Sequence, residues 1–424
     1  MKVFKFGGAS VKDSDAVKNV AKILSLYEGD KLIVVVSAMG KTTNKLEEVV
    51  DALKQKDKKK FFHLINDLKV FHNDLLGNLF QEKHFTLYNT IESIFEHLEQ
   101  KFDLPFSENY SYEYDQIVSL GEVISSHIVA SFLSENGFLV KWTDARNLIR
   151  TDNTYQEGNV DWSKTEELVK TKLIPDFQEA DILFTQGFIG HTPEGFTTTL
   201  GREGSDFSAG IFAYCSNAES VTIWKDVPGM LNADPKYFEN TVKLDQISFK
   251  EAIELAYYGA SVIHPKTIKP LQNKEIPLFV KSFLEPKKEG TIIQSSTKQD
   301  HLIPSFIVKK NQVLISFTPK NFSFIVEENL SEIFRLLSEA QAKINIMQNS
   351  AVSFSILLDE KKTDLSKILN LFQGGYHARY NQGLELVTIR HYNQETIDHI
   401  SKDKEILLQQ RTRQTARFVM KNID

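Results

Sequence analysis

The run KLIVVV at 31–36 reads as a continuous apolar strand. A strand apolar on both sides belongs inside a sheet covered on both faces, the habit of parallel sheets flanked by helices. The residues before it agree. KVFKF at 2–6 is short and β-prone, and it runs into Gly7-Gly8. A helical spacing of Val11, Ala16, Val17, Val20 and Leu24 then follows. Strand, glycine turn, helix, buried strand is the opening of an α/β layered domain.

The chain has 424 residues, enough for two or three domains. From 45 to 104 the pattern is helical. Leu46, Val49, Val50 and Leu53 make one face, and Phe61, Phe62, Ile65, Leu68 and Phe71 another. The charge run KQKDKKK at 54–60 reads as a solvated joint between helices. A further helix is expected over 115–134, with strands near 138–142 and 181–188. The stretch 188–200 alternates around Pro193-Glu194-Gly195 as a hairpin does. Helix 205–216, strand 220–224, helix 248–258 and strand 277–281 continue the alternation. A Pro-, Gly- and Ser-rich linker is expected at 285–305, closing a first domain of 1–284. Beyond it come strand 306–317, helix 327–340, strands 343–348 and 352–358, helix 363–373 and strand 383–390. This βαββαβ order is ferredoxin-like. The remainder, 391–424, offers one helix and two strands, so a second such unit would be truncated.

Charge and cysteine content exclude some classes. Fifty Lys and Arg against 56 Asp and Glu leave a net charge of −6, a poor basis for nucleic-acid binding. The lone Cys215 has no partner for an intrachain disulfide, consistent with a reducing cytoplasm. MKVFKFGGAS does not read as a signal peptide. No run approaches 18 uninterrupted apolar residues, so no membrane span is expected.

Five short segments carry chemistry. Lys5-Phe6-Gly7-Gly8 lies between a strand and a helix, where backbone N–H groups and a mobile ammonium meet an anion. By itself such a Gly-Gly is more often a tight turn. Gly201-Arg202-Glu203-Gly204-Ser205-Asp206 precedes another helix. Arg202 suits a carboxylate, Gly204 and Ser205 suit a helix entry facing phosphate, and Asp206 has the alternative of a plain N-cap. Trp224-Lys225-Asp226, followed by a loop carrying Leu231 and Lys236, leaves a strand where open α/β sheets bind nucleotides. Glu122 interrupts an apolar helix, and His264-Pro265 looks like a helix start. No histidine spacing fits a metal site.

Taken in order, KFGGAS, SLGE at 119–122, TQGFIG at 185–190, TTTLGREGSDFSA at 197–209, WKDVPGMLNADP and ELAYYGASVIHPKTI resemble the aspartate kinases of the amino acid kinase family over nearly the whole chain. The resemblance implies a three-layer αβα kinase domain with an open, mainly parallel sheet, followed by a ferredoxin-like ACT regulatory region over 306–424. It implies MgATP-dependent phosphorylation of the side-chain carboxylate of L-aspartate, a step toward lysine, threonine and methionine. By matching positions, Lys5 stabilises the transferring group and Asp206 organises it. Ser37 and Thr43 line the aspartate pocket, Glu122 takes the substrate ammonium, and Arg202 its α-carboxylate. Gly7, Gly8, Gly204, Ser205, Lys225, Asp226, Leu231 and Lys236 fall on the ATP side. ATP and Mg2+ are the implied cofactors, with no protein metal ligand. ACT units in the family pair side by side, so a homodimer or higher homo-oligomer is expected, with an amino-acid feedback inhibitor.

The departures from the family pattern are specific. Ala9 replaces Thr in KFGGTS, Glu203 replaces Gly in GRGGSD, WTDVDG becomes WKDVPG, and Ser261 stands where a lysine is usual. Asn345 lacks the charge that would pair with an inhibitor's ammonium, which leaves lysine or threonine control open. Two rivals stand beside the leading reading: another amino acid kinase such as glutamate 5-kinase, and an inactive ACT-type amino-acid sensor. Lys5 and Asp206 are retained, which favours an active enzyme.

Overall fold

The computed structural model describes residues 1–80, 84–260, 263–321 and 323–423. They divide into two compact units, Met1–Met230 with Lys243–Tyr257 and Ser261–Asp300, and Leu231–Val242 with Tyr258–Ala260 and His301–Asp424.

The first unit opens with β1 (Lys2–Phe6), α1 (Ser14–Ser25) and β2 (Leu32–Val36). The helical region consists of α2 (Thr42–Lys54), α3 (Lys58–Leu79), α4 (Phe85–Gln100), α5 (Tyr110–Val118) and α6 (Leu120–Glu135). There follow β3 (Val140–Trp142), α7 (Trp162–Leu168), β4 (Ile182–Gln186), β5 (Ile189–His191), β6 (Thr197–Thr199), α8 (Gly204–Ser216) and β7 (Ser220–Lys225). The unit ends with β8 (Gln246–Ser248), α9 (Phe249–Tyr258), α10 (Pro265–Asn273), β9 (Leu278–Ser282) and β10 (Thr291–Gln294). Eight strands form one sheet in the order β3-β4-β2-β1-β7-β9-β10-β8. It is parallel except for the β9–β10 pair. β2 is buried along its whole length, as its two-sided apolar pattern requires. β1 sits between β2 and β7, so the loops after these strands open on one edge, where such sheets bind ligands.

Several local readings are refined. The charge run is the joint between α2 and α3, and Asp57 caps α3 by accepting from the Lys60 N–H. The helix expected over 115–134 is two helices that meet at Ser119. The span Tyr110–Glu135 is apolar and long enough to cross a membrane, yet 78% of its most apolar window is buried inside the protein. It is the core helix pair of this domain.

The stretch read as a linker is not one. β10 lies within it and adds to the sheet. Thr291 Oγ1 donates to the Leu244 carbonyl at 2.6 Å and accepts from the Met230 N–H at 2.7 Å. Gly290 lies flush on β9, where an added Cβ would come within 1.8 Å of the Val280 carbonyl oxygen. Glycine here marks a close backbone approach rather than a free hinge, and the first unit runs on to Asp300.

The second unit carries β11 (Ser305–Pro319), α11 (Glu327–Glu339), β12 (Ile344–Asn349), β13 (Phe354–Asp359), α12 (Leu365–Phe372), β14 (Tyr376–Arg390), α13 (Gln394–Ser401), β15 (Lys404–Arg411) and β16 (Thr415–Asn422). Its antiparallel sheet runs β12-β13-β11-β14-β16-β15. The first four strands have ferredoxin-like order, and α11 and α12 cover them with a core of Ile333, Leu337, Ile368 and Phe372. The rest is not confined to the tail. The early part of β11 pairs with the late part of β14, and β16 pairs with that same part of β14. Ile389, Ile397 and Phe418 then build a further core under α13. The second half of this unit therefore encloses the first in sequence and has one helix.

Candidate active site

The sheet's alternation explains how the site assembles. In the parallel β1–β7 register Lys5 stands beside Ile223. Residues two apart on a strand face the same side, so Lys5 and Lys225 share a face, and α8 packs across it. Asp206, the third residue of α8, meets both. Its Oδ1 is 2.6 Å from Lys5 Nζ and its Oδ2 is 3.2 Å from Lys225 Nζ. Asp206 is buried, as is Lys5. Burial alone would push the Asp206 carboxyl up, but the charges of Lys5 and Lys225 outweigh it and hold the group below its ordinary range. Asp206 is not an N-cap: that position is Glu203, left-handed at φ 55° and without a side-chain capping bond.

Around this trio lies a cleft of about 620 Å³. Of the residues expected from sequence, Lys5, Gly8, Ser37, Thr43, Glu122, Arg202, Gly204, Ser205, Asp206 and Lys225 all line it. Gly8 sits where a Cβ would press on the Ala38 carbonyl oxygen at 2.9 Å, so only glycine leaves this turn's backbone open. Gly7 is not part of the lining, though Lys5 Nζ passes 3.4 Å from where its Cβ would be.

Glu122, on the first turn of α6, is buried. Its Oε1 accepts from the Ala38 N–H at 3.2 Å, and its Oε2 is buried without a hydrogen-bond partner. Burial raises this carboxyl to about 8, against the pull of the Ala38 N–H and Lys5. An unsatisfied buried carboxylate oxygen facing a cleft is a place for an ammonium group. Arg202 is exposed and lines the same cleft.

Three further expected contacts are not in this lining. Asp226 lies just past the end of β7, is exposed, and is not among the lining residues. Leu231 and Lys236 belong to the segment Leu231–Val242 of the second unit. That segment is anchored there by the Phe306 N–H donating to the Asn232 carbonyl at 2.7 Å and by Phe238 against Phe306. Ser261, which stands where the family usually has a lysine, lies outside the described residues.

Sequence reasoning missed one wall. Asp115, buried on α5, accepts from Thr199 N at 2.9 Å, Thr199 Oγ1 at 2.6 Å and Gln156 N at 2.9 Å. It ties β6 and the 156 loop to the helix, which places Thr199, Gln156 and Glu157 on the cleft. Burial lifts its carboxyl to about 6, against these hydrogen bonds. Tyr114 also lines the cleft and donates to Glu47 Oε1 at 2.6 Å. A buried Asp inside the apolar period of 115–134 was the available signal.

A family model described as the amino acid kinase family matches residues 1–282. The chain is 31% identical to the lysine-sensitive aspartokinase 3 of Escherichia coli K12, covering 84% of this chain and 78% of that protein. It is 29% identical to the chloroplastic aspartokinase 1 of Arabidopsis thaliana, over 85% of this chain but 63% of that longer protein. Among solved structures, E. coli aspartokinase III in complex with aspartate and ADP superposes with a TM-score of 0.78 at 27% identity, over 99% of this chain and 96% of the other. The same enzyme in complex with lysine and aspartate gives 0.79 at 27% identity, over 99% and 95%.

Proposed function

We infer that this chain, which belongs to the amino acid kinase family, is an aspartate kinase that transfers the γ-phosphoryl group of ATP to the side-chain carboxylate of L-aspartate. The observation that carries this reading is one cleft joining the Lys5–Asp206 pair to the orphaned Glu122 oxygen and Arg202. Phosphoryl transfer asks for positioning and charge neutralisation more than for covalent chemistry. The side-chain carboxylate of aspartate is already ionised near neutrality, so no general base is required.

In this reading Glu122 binds the substrate ammonium, Arg202 its α-carboxylate, and Ser37 and Thr43 its remaining polar atoms. Gly8, Gly204 and Ser205 present backbone to phosphate, and Lys5 neutralises charge on the group in flight. Mg2+ fits a site of this kind when carried by the nucleotide: among the described residues no cluster of three His, Cys, Asp or Glu could hold a metal, and Mg2+ commonly keeps waters and phosphate oxygens as ligands. When bound it would neutralise phosphate charge.

The second unit supports an ACT-type regulatory role, with an amino acid such as lysine as effector, the ligand in one related enzyme's structure. Edge strands β12 and β15 favour pairing into a homodimer or higher oligomer. The buried, lone Cys215 suits the cytoplasm. The test is ATP-dependent acyl-hydroxamate formation with L-aspartate against L-glutamate, repeated with lysine, threonine and methionine. Equal turnover of both substrates, or of neither, would refute the assignment.

A further inference from the structure

We propose that a pocket between α7, α8 and α10 is a second ligand site, which takes a small aromatic molecule carrying a carboxylate. The proposal goes beyond the aspartate kinase reading and does not depend on it, since the pocket shares no lining residue with the cleft.

Two helix stripes make the pocket. Phe207 and Tyr214 lie two turns apart on one face of α8, and Lys266, Lys269, Pro270 and Asn273 recur at helical spacing along α10. Gly210, on α8 between the two rings, lets the helices approach closely. A Cβ there would stand 3.1 Å from the Thr267 carbonyl oxygen and 3.6 Å from Pro270 Cγ. Trp162, at the start of α7, adds a third ring. It meets Tyr214 edge-on at 5.1 Å between ring centroids and Phe207 at 6.2 Å. All three rings are half-buried, and with α10 they enclose a cavity of about 500 Å³, within the size range of small-molecule sites.

The charge around these rings has one sign. Lys266 and Lys269 line the pocket, and no carboxylate does. Glu166 of α7 is engaged by Lys170 at 2.8 Å and Lys274 at 3.3 Å. Lys274 also lies 4.0 Å from the Tyr214 ring centroid and donates to the Tyr214 carbonyl at 2.6 Å, which holds that ring before a ligand arrives. Among the described residues neither Lys266 nor Lys269 pairs with a carboxylate. Two uncompensated ammonium groups beside three aromatic rings select an anion with a flat apolar body. A carboxylate suits them better than a phosphate group. Phosphate at a helix N-terminus is held by free backbone N–H groups, and at the start of α10 these are taken. Pro265 has none, the Lys266 N–H donates to His264 Nδ1 at 3.2 Å, and the Thr267 N–H donates to the His264 carbonyl at 3.0 Å.

The experiment is calorimetric titration of the full chain with phenylacetate, its neutral analogue phenylacetamide and the cationic phenethylamine. Thermal melts confirm that each variant is folded. Phenylacetate is expected to bind saturably, one molecule per chain, and about tenfold more tightly than phenylacetamide, with phenethylamine weaker still. Replacing both lysines, Lys266→Gln with Lys269→Gln, should weaken phenylacetate by about tenfold and leave phenylacetamide within about twofold. Trp162→Leu should weaken acid and amide alike, by about fivefold. Binding should persist when ATP and aspartate saturate the cleft. No saturable binding of phenylacetate up to about 10 mM overturns the proposal. Equal affinity for acid and amide overturns it too, as does an unchanged affinity in the double lysine variant. Loss of binding on adding aspartate also overturns it, by placing the acid at Arg202.

Discussion

The affinity for aspartate should depend steeply on pH because of Glu122. Its carboxyl is raised from 4.5 to about 8 by burial, so the empty site is mostly neutral at pH 7. In the proposed role the Glu122 carboxylate takes the substrate ammonium, so binding must first remove the proton. The apparent KM then scales as one plus the proton-bound ratio, about 100-fold above its limit at pH 6 and about twofold at pH 8. KM for aspartate should therefore fall about 50-fold between those pH values, with roughly one proton released per aspartate bound below pH 7. Steady-state kinetics at saturating ATP give the first quantity, and calorimetry in two buffers of different ionisation enthalpy gives the second. Glu122→Gln should raise KM at pH 8 and flatten the profile. A wild-type KM constant across this range would refute the reasoning, and so would an unchanged slope in Glu122→Gln, which would assign the titration elsewhere. The sign for stability is consistent. A raised folded-state pKa contributes stability that is complete below about 4.5 and lost as pH climbs through about 8, so the empty enzyme should melt lower at pH 8.5 than at pH 6, and aspartate should restore most of the difference.

Other outcomes follow from the same cleft. Lys5→Ala should lower kcat by about 10²–10³-fold while the melting temperature changes little, and a near-normal kcat would remove Lys5 from the chemistry. Arg202→Lys should raise the KM for aspartate with the ATP KM nearly constant, because lysine lacks the planar fork; a rise confined to ATP would move Arg202 to the nucleotide side. Gly187→Ala would bring a Cβ to 2.5 Å from Ser205 Cβ and 2.7 Å from its Cα. The start of α8 must then shift, and overpacking of this kind costs about 1–3 kcal/mol, read by denaturant titration together with a drop in kcat. Sedimentation at micromolar concentration should show a species heavier than the 48.5 kDa monomer.

Much of this was legible in the residues, for physical reasons that differ by region. Two-sided apolar strands such as Leu32–Val36 announce a covered sheet without outside help. Lys5, Gly8 and Asp206 sit at strand and helix ends, where chemistry is local in sequence. Asp115 was harder, since its role is to hold Thr199 and Gln156, partners far along the chain that no local pattern reveals. Gly290 misled because a glycine that permits a close strand contact and one that loosens a linker look alike in sequence. The enclosing half of the second unit was hidden for a related reason. Its opening strand comes before the unit that it surrounds, and pairing across some 80 residues leaves no periodic trace.

β11 and β14 are each 15 residues long, about 50 Å of extended chain at roughly 3.3 Å per residue. Because both halves of the second unit are strung on this one pair, the pair behaves as a beam. A pull along it loads the rungs between the two strands in shear, many at a time, whereas the β15–β16 hairpin at the edge would open rung by rung. A push at one half is carried lengthwise to the other rather than absorbed. The beam has one soft section, the irregular register of β11 between Lys309 and Leu314, and bending should concentrate there.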